Sequence, residues 1–170
     1  MFSEYKNKKE TLIDFEKRWS EIGELFSVFV KPDRENKWSP NFSQGHLRVL
    51  LDFLESDTLS KYVPELLPIN FEHINDCCIL DRSEFEGSLV SMLNQGGCTE
   101  KAVVDDEEAR KIAKDLLMDL FPEPFNNLIA YRINTHKWSK FTASATLTKT
   151  YIVYQPERQL WWIFSFSDFY

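Results

Sequence analysis

The stretch FTASATLTKTYIVYQPERQLWWIFSFSDF, residues 141–169, decides the fold class. Phe141, Ala143, Ala145 and Leu147 alternate with Thr142, Ser144, Thr146 and Thr148, and aromatic and β-branched residues dominate positions 141–154. A period of two predicts a β-strand over this segment. QPER, residues 155–158, places its proline where a turn favours it. In the segment after it, Leu160, Trp162, Phe164 and Phe166 point one way, and Trp161, Ile163, Ser165 and Ser167 the other. LIAYRI, residues 128–133, reads as a preceding strand, which makes a C-terminal antiparallel meander. Chain ends are commonly frayed and polar, whereas this one carries large rings, each contributing about 1.5–3 kcal/mol on burial. The last strand is therefore expected to be central or at least well paired. Its second face, with Trp161 and Ile163, also needs a cover, from the first helix or from a partner.

The rest of the chain reads as the layer that a meander requires. Leu12, Phe15, Trp19, Ile22, Phe26 and Phe29 recur at spacings of three and four, which predicts one helix ended by Pro32. The polar segment PDRENKWSPNFSQG reads as a loop. Leu47, Leu50, Leu51 and Leu54 form a second helical face with Ser43 as its cap, and Asp57 caps a short turn reaching Tyr62. Two prolines make PELLPINFEHINDCCIL partly irregular, with CCIL a short buried run of either type. A third helix starts at Asp81, with Glu84 completing a capping box, and buries Phe85, Leu89, Met92 and Leu93 before Gly96-Gly97 stops it. A fourth spans roughly Asp106 to Phe121, capped by Asp105 or Asp106, with Ile112, Ala113, Leu116, Leu117 and Leu120 facing inward. The expected class is α+β. N-terminal helices, within about residues 3–121, pack on a meander of three or more strands within about 127–170, in a single domain over residues 1–170.

Charge is unevenly spread. The net value is −7, yet residues 61–126 hold 6 Lys and Arg against 14 Asp and Glu, and residues 127–170 hold 5 against 2. An acidic chain is a poor duplex binder, because phosphate affinity comes from neutralising charge. A concentrated negative face suits a basic partner. Three cysteines, two of them adjacent, are poor material for a disulfide framework and point to a reducing compartment. No stretch resembles a signal peptide, and the longest apolar runs are near five residues, so a cytoplasmic protein without a membrane span is expected.

Common catalytic signatures are missing: no GxGxxG, GxxxxGK[ST], HExxH, GxSxG or EF-hand loop occurs. His73 with Cys77, Cys78, Cys98 and His46 is the best metal candidate. Adjacent cysteines make awkward ligands, and Cys98 has no local companion. Buried apolar cysteines explain the set more simply. No local signature supports a Cys–His nucleophile. DDEE, residues 105–108, sits where a helix N-terminus favours acids, so capping accounts for it better than acid–base chemistry. HKWSK, residues 136–140, interleaves bases with an aromatic ring as a single-strand binder does, but it also falls between two strands, where polar residues are ordinary.

The block VVDDEEARKIAKDLLMDLF, residues 103–121, followed by three strands, resembles the helix-plus-meander half of cystatin-like and NTF2-like folds. Small acidic chains of this form are similar to bacterial immunity proteins, which neutralise a cognate toxin, often a nuclease, of contact-dependent or polymorphic toxin systems. The resemblance spans residues 103–170 and carries over no functional residue. It implies an inhibitor of a basic toxin domain. The missing motifs argue against an enzyme, cofactor or metal, the acidic charge against nucleic acid, the short apolar runs against a membrane, and a first-helix stripe of under three heptads for a monomer over a dimer. The expected contact residues are Asp76, Asp81, Glu84, Glu86, Asp105, Asp106, Glu107 and Glu108. Two other classes remain open: a small-molecule or enzymatic pocket between helices and sheet, and a module that dimerises through the first helix.

Overall fold

The structure, a computed structural model, describes residues 2–7, 9–33, 38, 40–56 and 59–169. Among these residues six strands form one antiparallel sheet: β1 (Phe2–Tyr5), β2 (Glu24–Pro32), β3 (Cys77–Leu80), β4 (Ile129–Ile133), β5 (Leu147–Gln155) and β6 (Leu160–Asp168), in the order β1-β2-β6-β5-β4-β3. The α-helices among the described residues are α1 (Glu10–Ser20), α2 (His46–Leu54), α3 (Leu59–Tyr62), α4 (Phe71–Ile74), α5 (Arg82–Gln95) and α6 (Asp106–Leu120). The class is α+β. The expected helices-then-strands order holds only in part, because β1, β2 and β3 all precede the fourth long helix.

The meander β4-β5-β6 stands as read, and β6 is flanked by β5 on one side and β2 on the other. Each of its residues from Leu160 to Asp168 is buried. The alternation read for residues 141–146 is not a strand. Thr142 Oγ1 donates to the His136 carbonyl at 2.7 Å, and Ala145 N donates to the Thr142 carbonyl at 3.1 Å, which closes turns. Hydroxyl side chains offer the backbone such local partners and compete with a ladder. β5 therefore begins at Leu147.

The helix read through Phe29 ends at Ser20. Glu21–Gly23 turn the chain, and ELFSVFVKP forms β2. Spacings of three and four fit this segment only because a strand buried on both faces shows no period of two. Phe29 joins one core and Phe26 packs against the other, so the two rings lie on opposite faces. The turn needs Gly23: a Cβ there would meet the Ser167 carbonyl oxygen at 2.6 Å and the Phe166 ring at 2.8 Å.

Both sheet faces are covered. On the first, α1, α5 and α6 pack on Leu160, Trp162, Phe164 and Phe166, with Phe15 and Trp19 in ring contact with Phe164. On the second, α2, α3 and α4 cover Trp161, Ile163, Tyr131 and Tyr154. The cover of Trp161 is thus neither the first helix nor a partner. It is α2, whose Phe53 stacks on the indole at 3.9 Å and 3°. The α1 stripe of Leu12, Phe15 and Trp19 is spent on the chain's own core. α2 itself starts at His46 after Gly45, without a side-chain cap, while Ser43 lies in a preceding 3-10 turn. The Asp57 cap lies outside the described residues. CCIL is the edge strand β3, half-buried rather than interior.

Candidate interaction site

α5 and α6 are antiparallel neighbours. Asn94 near the end of α5 donates to Asp106 Oδ1 at 2.7 Å. At the other end Arg82 donates to the Leu117, Phe121 and Asn126 carbonyls at 2.9–3.1 Å, closing the C-terminus of α6. This pairing divides the eight expected contact acids into two groups at opposite ends of helices roughly 20 Å long.

At one end, Asp105, Asp106, Glu107 and Glu108 do the work of a helix start. Asp105 accepts from Glu108 N at 2.9 Å, and Glu108 accepts from Val104 N at 2.6 Å. Asp106 pairs with Arg110 at 2.6 Å, which together with Asn94 lowers its pKa, and Glu108 pairs with Arg18 at 3.3 Å. Two of the four charges are therefore neutralised locally, and this end does not form a coherent negative face.

At the other end, Asp81 and Glu84 form the capping box read from the sequence: Asp81 Oδ1 accepts from Glu84 N at 2.9 Å and Glu84 Oε1 from Asp81 N at 3.0 Å. Both are exposed. Asp76 is exposed in the turn before β3. Glu86 is half-buried on the other side of α5, in a groove shared with Arg110 and Lys114, and so leaves the group. Glu72, which sequence reasoning missed, joins it from α4. Its only signal was a place four residues before Asp76.

Glu72 and Asp76 thus precede β3, while Asp81 and Glu84 follow it. Among the described residues none of the four pairs with a cation, and no backbone hydrogen bond reaches the outer side of β3. Ile79 on the strand is 42% exposed and Phe71 on α4 is 37% exposed. At the opposite edge, β1 carries the exposed Glu4, and Lys31 of β2 sits 4.8 Å from the Tyr5 ring centroid.

The other candidates separate. Among the described residues no three His, Cys, Asp or Glu side chains gather as a metal site, so His73, Cys77, Cys78, Cys98 and His46 do not converge. All three cysteines are free. Cys98 N instead donates to Asp168 Oδ2 at 2.6 Å. In HKWSK, Trp138 is fully buried under α4, so it offers no base a stacking surface. No helix among the described residues is long and apolar enough to cross a membrane. No protein-family model and no curated protein matches the chain.

Proposed function

We propose that this protein is an immunity-type inhibitor that binds and neutralises a basic toxin domain through the β3 corner. The observation that carries this reading is a free sheet edge bracketed by four uncompensated carboxylates, Glu72, Asp76, Asp81 and Glu84. An unpaired edge offers N–H and C=O groups to an incoming strand, and strand addition is a recurrent mode of protein recognition. The carboxylates select for a partner of opposite sign and speed its approach. Ile79 and Phe71 supply the apolar contact that charge alone does not provide. A nuclease fits such a surface well, because the cleft that holds phosphates is basic. Inhibition of this kind needs no catalytic residue, and it acts in the cytoplasm, where an incoming nuclease finds its substrate.

The test co-expresses the chain with toxin-like domains encoded beside its own reading frame, scoring growth rescue and then association kinetics. One such domain should be neutralised. The triple variant Glu72→Lys, Asp76→Lys, Glu86→Lys avoids the capping residues and retains a control position. It should slow association about tenfold or more and flatten its salt dependence. Restoring Glu86 alone should leave the loss in place. Rescue with unchanged kinetics in the triple variant would move the interface elsewhere, and absence of rescue by any neighbouring domain would end the immunity reading.

A further inference from the structure

The first face of the sheet changes character halfway across. At β6 it carries Trp162, Phe164 and Phe166, and at β2 Leu25 and Phe29. Toward the other edge, the cross-strand row that contains Phe164 continues through Tyr151, Arg132 and Cys78, and Lys149 lies one pleat along from Tyr151. α5 covers this polar half with Ser88, Ser91, Met92 and Gln95, and a cleft of about 340 Å³ remains between them. A helix-packed sheet face is ordinarily apolar, so two cations on it need a reason.

Among the described residues neither cation has a counter-charge. Lys149 is 8% exposed, and its Nζ donates to the neutral Gln95 Oε1 at 2.7 Å. Arg132 donates through Nη1 to Ser88 Oγ at 3.2 Å, through Nη2 to Cys78 Sγ at 3.4 Å and through Nε to Asn134 Oδ1 at 3.1 Å. The residues lining the cleft include no carboxylate, and among the described residues neither cation forms an ion pair. Burial without compensation is costly for an ammonium group, and it pulls the Lys149 pKa below the usual lysine range. Long contacts from guanidinium to a hydroxyl and a thiol are weak substitutes for the planar, two-pronged grip that Arg makes on an oxyanion. Ser88 Oγ and Tyr151 Oη lie 2.6 Å apart: with Tyr151 donating, the Ser88 proton is left for an incoming oxygen, and with Ser88 donating, the Tyr151 proton turns to the Ser88 carbonyl at 3.4 Å.

We propose that this cleft binds a small molecule through an oxyanion group, phosphate or carboxylate, held by Arg132, Lys149 and the Ser88–Tyr151 hydroxyl pair. The volume is at the small end of ligand pockets, which fits a phosphate ester or a short diacid. The site is separate from the free edge of β3 and does not depend on any protein partner.

The test titrates the full chain with sodium phosphate and, separately, sodium succinate, with ionic strength held constant by sodium chloride. The Arg132 Nε–H resonance, the backbone amides of residues 88–95 and 148–151, and the melting temperature are followed. At least one titration should saturate, with shifts confined to those residues and a rising melting temperature. Saturation by phosphate alone assigns a phosphate ligand, by succinate alone a carboxylate, and by both the shared oxyanion chemistry. Lys149→Gln should weaken the saturating titration at least tenfold, about 1.4 kcal/mol, while melting cooperatively. Shifts that never saturate, or that spread over exposed lysines such as Lys31 and Lys137, would overturn the site from the unaltered protein alone. A folded Lys149→Gln protein that binds as tightly as the original would overturn it too.

Discussion

Two glycines with the same side chain carry opposite consequences. Gly23 sits where β2 starts against the end of β6, and an added Cβ would meet backbone and ring atoms at 2.6–2.8 Å. Gly87 lies within α5 with nothing within 4 Å of the corresponding Cβ position. Gly23→Ala should therefore destabilise by about 2 kcal/mol or more, as overpacking does. Gly87→Ala should stabilise by about 0.5–1 kcal/mol through helix propensity. Urea denaturation of the two variants checks both signs. Lys149 gives a third residue-level expectation. Its folded pKa is depressed, so below that value it is charged in both states and its full burial cost is present. Between the folded value and the unfolded value of about 10.5, the unfolded chain binds the extra proton, and stability rises with pH. Lys149→Met should thus be more stable than the original at pH 7, with the gain shrinking toward pH 10.5, as read from paired urea titrations. Equal stability at pH 7 would show that the ammonium group is not buried. Lys149 reads in the sequence as a polar residue in an alternating strand; only the packing of α5 over β5 shows it enclosed.

At the scale of elements, β6 organises the molecule. It pairs along its length with both β5 and β2, and each of its faces supplies rings to a different core. Deleting residues 161–170 removes Trp161, Trp162, Phe164 and Phe166 and strands both neighbouring ladders, so it should abolish the cooperative melt and the near-UV circular dichroism. A truncated chain that still melts cooperatively would show that the two cores stand without β6. A milder probe is Trp162→Ala, expected to cost about 3–5 kcal/mol because a large cavity opens between Phe15, Phe29 and Phe85. The meander and the long helices α5 and α6 were legible because period and capping residues are local signals. β2 was not. Its Phe26 and Phe29 satisfy a helical spacing, and nothing within nine residues tells that both of its sides are covered. β1 and β3, four residues each, are too short to show a period at all.

For the whole molecule, buried tyrosines limit stability at alkaline pH, Tyr151 on the first face as well as Tyr131 and Tyr154 on the second. Burial pushes Tyr154 up to about 12, and Tyr131 is raised by the same cause. An unfolded tyrosine ionises near 10, so above that pH the folded chain holds protons that the unfolded chain has lost. Stability therefore falls as pH rises from about 10 toward 12. Tyr154→Phe should flatten part of this decline in denaturation midpoints measured across that window, and an unchanged slope would show that Tyr154 is not protected. The electrostatics of the exterior were only half legible. The sequence located the acids but counted as one face what α5 and α6 hold at opposite ends, with Arg110 and Arg18 neutralising part of it. Local pattern was enough for the α+β class, the C-terminal meander, the caps of α5 and α6 and the acidic excess, because each depends on neighbours within a few positions. It took the packed chain to reveal that α2 covers Trp161, that Glu72 joins Asp81 beside a free edge, and that Arg132 meets Ser88 above the sheet. The first and last of those meetings join residues far apart in the chain, and the second depends on β3 taking the edge of the sheet, so packing and strand register, rather than spacing along the sequence, decide all three.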